Sequence, residues 1–495
     1  MTNYTKQVIR SATITLVMMV LTAGLGYVWR FVLARKLTIE EFGLFFAVFG
    51  FVNLFYGFKG LGLGSGVVRF ITEFRLSNNP VGVKKIINSY IFIQVIVFGV
   101  LSLIMIFCAD LLAQYYFKTE ESFSLLLILA TVFFFTIGIQ TVQGLLLGYR
   151  RMIELSTVEF IQSLMLFIAT LIFFYFGSSL LAPAYAYAVS FIITVGWCIF
   201  LLLRSFSFFK IRAPFFNKDS IIKLFGFGKY VFMGSVCYSI ILNFGTITLT
   251  YFRTLPEVAI YSVAFSLANV IRFIPRAITI TVLPLTSELE IQNKQKLLLG
   301  ISKLYTFLIA GVLPLSLVLM LIPGIIIKIL FGEKYLASAE PLQILAFSMT
   351  FTALYMVNQN ILLGIKQPKE FGKIIVLGGT LTFFFSVLLT PFYGVIGTAL
   401  AALFGAVFTA AYSIWRIWKL ICPSIPWKNW ILTFFAGILF ATVSLFIQQI
   451  NFFQSYILSG FSIIMGSIFY VFALHVFKVV SFSESMSLVR LLIKK

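Results

Sequence analysis

Apolar residues run along this chain in long blocks, each closed by a short polar cluster, and most blocks reach the roughly 20 residues that one membrane helix needs. They predict about fourteen spans: 11–34, 42–67, 86–108, 123–148, 155–176, 182–203, 227–252, 258–283, 303–330, 341–363, 374–391, 394–415, 430–448 and 456–477. Most blocks are apolar on every side, so helical periodicity is faint and length does the identifying. The expected fold is all-α and polytopic.

Composition agrees. Of 495 residues, 61% are hydrophobic and 11% charged, with a mean hydropathy of +1.05. Soluble globular chains are nearer half apolar and a quarter charged. Nothing is left over for a separate soluble catalytic domain. The net charge of +21 would suggest nucleic acid in a soluble chain. Here its distribution gives another reason. With both termini placed in the cytoplasm, the inner segments carry 27 of the 37 Lys and Arg, and the outer loops carry six: Arg35, Lys36, Lys118, Arg253, Lys328 and Lys334. That is a positive-inside pattern for a plasma-membrane protein, and no nucleic-acid partner is expected. The first span lacks a small-residue cleavage site and reads as a retained helix. Cys108, Cys198, Cys237 and Cys422 stand far apart, and His475 is the single histidine. A disulfide framework, a zinc site and a histidine triad are therefore not indicated, and neither a metal nor a cofactor is expected. His475 reads as an interfacial structural residue.

The chain repeats itself. LTIEEFGLFFAVFGFVN (37–53) resembles RTLPEVAIYSVAFSLAN (253–269), and QGLLLGYR (143–150) resembles QNILLGIK (359–366). Both matches share an offset of 216 residues, from Glu41 to Glu257 and from Gln143 to Gln359. A common offset at distant places implies a duplication of six spans. An even number of spans gives both copies one orientation, so a parallel repeat is expected. The implied organisation is a six-helix lobe over 1–203, an inner-face linker over 204–225, a second six-helix lobe over 226–418, and an extra helix pair with a cytoplasmic tail over 419–495.

Four basic residues lie inside apolar blocks: Arg30, Lys59, Arg272 and Arg276. A charge there costs roughly 3 kcal/mol or more, so it usually faces protein or a cavity. Arg272 lies about 22 Å along the helix from Glu257 at 1.5 Å per residue, past the midplane. Arg276 is one turn further on the same face. Snorkelling to the surface is the plainer alternative for this pair, for Arg30 and for Lys59. In the repeat register Lys59 corresponds to Pro275, beside Arg276, so both copies put a cation at nearly the same place. Asn53 and Asn269 are equivalent polar residues, lining a cavity or joining helices. Gln94, Gln143, Asn358 and Gln359 read as helix-joining residues. Glu159 is the one acid at depth, either a partner for a nearby base or a proton-linked switch. A cationic cavity with scarcely any acid suits an anion, because guanidinium forks match phosphate oxygens. Apolar walls and an additional helix pair point to a substrate with a lipid portion.

ARKLTIEEFGLF, GLGSGVVRFITEF, LPEVAIYSVAFSLANVI and LFGEKYLASAEPL, in this order and spacing, resemble the polysaccharide-flippase branch of the multidrug/oligosaccharidyl-lipid/polysaccharide exporter superfamily. The resemblance runs along most of the chain. It implies translocation of a polyprenyl-(di)phosphate-linked glycan from the inner to the outer leaflet by alternating access, without enzymatic chemistry. It implies a cationic cavity role for Arg272 and Arg276 first, and for Arg30 and Lys59 after them. The lipid-linked glycan and the bilayer would be the partners, with glycan-assembly enzymes supplying substrate to a monomeric transport unit. Two departures stand out: the first span has no acid, unlike many cation-coupled drug exporters, and GFGKYVFMG replaces a common proline in the seventh. An ion-coupled multidrug exporter is the second reading, and it would want acids in the cavity. A membrane glycosyltransferase or polymerase is the third; the adjacent Glu40 and Glu41 would serve it, but a helix-start role repeated at Glu41 and Glu257 explains them better.

Overall fold

The computed structural model describes residues 3–58, 63–206, 214, 216–450 and 456–479, and every regular element among them is helical. Among the described residues, twelve helices are long and apolar enough to cross a membrane. The sequence reading of about fourteen differs in two places. Ala339–Gly364, at 26 residues, falls outside that set, and Pro368–Ile421 counts once although Gly394 (φ 53, ψ −128) divides it. Contacts gather the chain into two compact units, Met1–Ala259 and Ile260–Lys495. The described part of segment 204–225 thus lies within the first unit.

The first unit holds α1 (Asn3–Lys36), α2 (Ile39–Phe55), α3 (Leu63–Leu76), α4 (Pro80–Phe107), the short α5 (Ala109–Leu111), α6 (Glu121–Gly148), α7 (Met152–Tyr175), α8 (Ala182–Ser205), α9 (Lys218–Phe252) and the start of α10 (Leu255–Ala268). Polar side chains mark several starts. Thr38 and Glu41 form a reciprocal capping box on α2: the Thr38 hydroxyl accepts from the Glu41 amide at 3.1 Å, and Glu41 accepts from the Thr38 amide at 2.8 Å. Asn79 accepts from Gly82 at 2.8 Å ahead of α4, and Asn217 from Ser220 at 2.9 Å ahead of α9. The helix-start reading of Glu41 therefore holds.

Inside the unit, α2 and the turn after it lie against α9 and the start of α10 along glycines spaced seven residues apart. A Cβ on Gly43 would strike the Leu255 carbonyl, one on Gly50 would come within 3.0 Å of the Thr246 methyl, and one on Gly57 within 2.5 Å of the Ser239 Cβ. Small residues let helix backbones approach where lipid is as apolar as leucine. At the end of α2, where the Tyr56 amide reaches back to the Asn53 and Leu54 carbonyls, the Ser239 hydroxyl also donates to Asn53 O (3.1 Å) and Leu54 O (3.0 Å). The Trp29 indole N–H donates to Thr170 at 2.8 Å and ties α1 to α7.

The second unit continues with α11 (Phe273–Gln292), α12 (Lys294–Leu321), α13 (Pro323–Leu330), α14 (Ala339–Gly364), α15 (Pro368–Ile421), α16 (Trp427–Ile450) and α17 (Tyr456–Val476). Asn358 joins three of them, as the sequence reading expected of it: its side-chain oxygen accepts from Tyr305 at 2.7 Å on α12, and its amide donates to Ser413 at 2.8 Å on α15. The halves of α15 fold against each other around Gly394. Gly378 meets Thr409 and Gly405 meets Thr382 so closely that a Cβ at either glycine would collide. Glu370 closes the hairpin at its open end, 2.6 Å from Arg416 and 3.3 Å from Lys373. Large apolar side chains such as Phe434, Phe446 and Phe472 stay exposed on α16 and α17, as lipid-facing surfaces require. His475 donates from Nδ1 to the Val471 carbonyl at 2.8 Å, a local structural bond.

Several single blocks in the sequence are broken helices. The 42–67 block stops being α-helical at Phe55 and passes into a 3-10 turn over 56–58. Pro323 divides the 303–330 block into α12 and α13, because proline cannot continue the hydrogen bonding but suits a first helical position. The 258–283 block holds a 3-10 segment, Asn269–Arg272, between α10 and α11. The turns ending α6 and α14 are alike: Arg150 and Lys366 both take a left-handed φ of 59°. In each, the next amide reaches back to a helix carbonyl, Arg151 to Leu146 and Gln367 to Leu362, both at 2.8 Å. These positions are the two ends of the repeated QGLLLGYR and QNILLGIK stretches.

Candidate functional site

The site begins with a helix that changes its winding. α10 runs to Ala268, and the next four residues, Asn269–Arg272, form a 3-10 turn before α11. Three residues per turn bring side chains i and i+3 into eclipse. Asn269 spends its amide on the Phe265 carbonyl at 2.9 Å, which turns its oxygen toward Arg272. Arg272 Nη1 donates to that oxygen at 3.1 Å. The guanidinium is half-buried and donates to a neutral amide oxygen. Arg276 follows one turn later, exposed, near the end of the apolar stretch Leu255–Thr279. Its carbonyl accepts from Thr279 at 2.9 Å. Pro275 is buried between the two arginines.

Asn269, Arg272 and Arg276 belong to the second unit; Arg30, Asn53 and Glu159 belong to the first. Arg30, on α1, is half-buried with its guanidinium carbon 5.2 Å from the Phe46 ring centroid. Phe46 is itself buried in a cluster with Trp29, Phe42 and Phe45. A cation over an aromatic face is worth about 0.5–2 kcal/mol. The structure thus places Arg30 against an aromatic wall. Asn53 contributes its backbone carbonyl to Ser239, and its side chain is half-buried near the end of α2. Glu159 is half-buried on α7. Arg151 pairs with Glu154 at 3.0 Å. Lys59 lies outside the described residues.

Sequence reasoning missed the 3-10 turn that aims Arg272 and the glycine stripe that seats α2 on α9. The stripe was open to view as Gly43, Gly50 and Gly57 at heptad spacing. The turn had a weaker signal, an Asn before VIRFIPR, where Pro275 removes an amide donor and disfavours the α conformation just before it.

A polytopic helical chain with basic side chains set within its apolar helices, and no strands among the described residues, has the architecture of a multi-pass membrane transporter. The chain belongs to the family described as "Polysaccharide biosynthesis protein", which it matches over residues 8–290. It is 28% identical over 464 residues to the "uncharacterized membrane protein MJ1068" of Methanocaldococcus jannaschii, covering 90% of this chain and 91% of that protein. Its fold is shared with the inward closed conformation of the lipid II flippase MurJ, with a TM-score of 0.76 and 16% identity over 94% of this chain and 98% of the other. An inward-facing multidrug resistance MATE family transporter matches with a TM-score of 0.70 and 16% identity, over 82% and 98% of the two chains. The second of these structures is described as a transporter of the MOP superfamily.

Proposed function

We propose that the protein moves a polyprenyl-(di)phosphate-linked oligosaccharide or polysaccharide unit from the inner to the outer leaflet of the plasma membrane by alternating access. The observation that carries this reading is Arg272: a half-buried guanidinium inside an apolar stretch, oriented by Asn269, in a chain of a polysaccharide biosynthesis family. Such a group suits phosphate oxygens, and water exclusion strengthens the attraction. Arg276 shares the charge as the phosphate leaves or arrives; Arg30, Lys59 and Asn53 would serve a cationic cavity from the first half of the chain. Glu159 is the candidate for any coupling to protons. Glycan-assembly enzymes would supply the substrate, and one copy of the chain would be the transport unit.

The likeness to a MATE transporter favours a second reading, export of an amphipathic drug. Reconstitution separates the two. Liposomes carrying a fluorescent lipid-linked oligosaccharide should show protein-dependent leaflet exchange. A probe without phosphate should stay in its leaflet, and a cationic drug should not be moved. Drug movement without lipid exchange would overturn the flippase reading.

Direction rests on orientation, which the charge asymmetry of 27 to 6 supports with both termini inside. Single cysteines at Ser178 and Gln454 should react with an impermeant thiol reagent in intact cells, in a background lacking the native cysteines. A cysteine at Lys218 should react only after the membrane is opened. Labelling at Lys218 in intact cells reverses the orientation.

A further inference from the structure

Within the first unit, α4, α6 and α8 leave between them a cleft of about 160 Å³. Ile87 and Ile91 line it from α4, Gly138 and Val142 from α6, and Cys198 and Ile199 from α8. The hydroxyl of Thr141, on the same wall, is spent on the Ile137 carbonyl at 2.8 Å, so the cleft offers nothing polar. Its size is close to that of an apolar cavity that takes up benzene, a stretch of about six carbons.

Aromatic rings and cations lie just beyond one end of the cleft. Leu145 and Leu202 are its last lining residues on α6 and α8. One turn beyond each stand Tyr149 and Phe206, whose amides bond back to Leu145 and Leu202 at 3.0 and 3.1 Å. Their rings meet edge to face with centroids 4.9 Å apart. The Arg75 guanidinium carbon lies 5.7 Å from the Tyr149 ring, and that of Arg151 lies 4.8 Å from the Phe206 ring. Glu154 pairs with Arg151, so the group retains a net positive charge. Lys223, from α9, lies 6.0 Å from the ring of the neighbouring Phe74.

An apolar slot within a membrane unit, ending at a ring-backed pair of guanidiniums, matches one kind of molecule in both of its parts. We propose that this is a binding site for an anionic phospholipid, with one acyl chain in the cleft and the phosphodiester on Arg75 and Arg151. The cleft admits a single short stretch of chain, which favours an ordinary phospholipid over the long tail of a polyprenyl carrier. The site is separate from Arg272 and does not depend on the glycan reading. A bound lipid there would tie the end of α3 to the start of α7.

Native mass spectrometry of the full chain in detergent, titrated with phosphatidylglycerol or phosphatidylcholine, tests this. The wild type should retain phosphatidylglycerol at least tenfold more tightly. Arg75→Gln combined with Arg151→Gln should erase the preference. Gly138→Leu should weaken both lipids, because a Cβ there already sits 3.7 Å from Val195 and a longer chain enters the cleft. Thermal unfolding confirms that each variant is folded, and Gly138→Ala serves as the milder form. Equal retention of the two lipids by the wild type overturns the proposal, as does a preference unchanged in the arginine variant. Displacement of phosphatidylglycerol by an equal concentration of polyprenyl phosphate would reassign the cleft to the carrier.

Discussion

Arg272→Ala should slow leaflet exchange of a lipid-linked oligosaccharide about a hundredfold, the rate equivalent of losing roughly 3 kcal/mol of charge-assisted hydrogen bonding. The protein should still reach the membrane, because an alanine inside an apolar stretch favours insertion. Arg272→Lys should recover only part of the rate: the charge stays but the planar fork is lost. Arg272→Glu should fall below alanine, repelling phosphate and drawing on Arg276, which lies one turn away on the same face. Asn269→Ala separates position from charge. It leaves the guanidinium but removes the acceptor 3.1 Å away that holds it, so a loss of roughly tenfold is expected. Arg30→Gln should chiefly lower thermal stability, since its contact is with the Phe46 ring. Normal exchange by a well-expressed Arg272→Glu protein would remove Arg272 from the substrate's path.

Glu370→Ala should be among the most destabilising single changes in the second unit. Glu370 is 8% exposed and 2.6 Å from Arg416, whose side chain is 18% exposed. Removing one member of a buried pair strands the other charge and costs about 3–5 kcal/mol. The change should appear as a large drop in unfolding temperature in detergent and as reduced abundance. Lys373→Ala, removing the partner whose side chain is 63% exposed, should cost under about 1 kcal/mol. Replacing Glu370 and Arg416 together by leucine should restore much of the loss, because no charge is left buried alone. An unfolding temperature for Glu370→Ala equal to wild type would show that the hairpin of α15 does not depend on this pair.

The sequence made the membrane class, most spans and the repeated stretches legible. Length identifies a span, a capping Thr38 with Glu41 marks a helix start, and QGLLLGYR and QNILLGIK end in the same left-handed turn. Breaks within the apolar blocks were harder to see. The hydropathy of 258–283 is continuous across Asn269–Arg272, since changing the winding of a helix alters hydrogen bonds and leaves composition untouched. Pro323 was visible in 303–330, but apolar length outweighed it in the reading. Helix partners were hidden for a related reason. A helix that is apolar all round carries no stripe to say which neighbour it meets. Hence the sequence leaves Arg30 between a cavity and the surface, while the fold sets it beside Phe46. The candidate site was legible as a set of cations at depth. Which of them is aimed, and by what, required Asn269 and its turn.

The glycines of α2 carry a mechanical consequence. Gly43 touches the start of α10, and Gly50 and Gly57 touch α9, at points spread over fourteen residues of α2 and the turn that follows it, about 21 Å at 1.5 Å per residue. Contacts in a row at one spacing cannot be opened singly: tilting α2 at one end drives its backbone into Leu255 or Ser239 at the other. Sliding by one residue would put a side chain where only hydrogen fits. The close contacts therefore favour release together over release one at a time. Any working cycle that parts α2 from α9 must do so as a latch releases, in one step, and its rate should respond to a single methyl at Gly50 more sharply than to many changes on the lipid face.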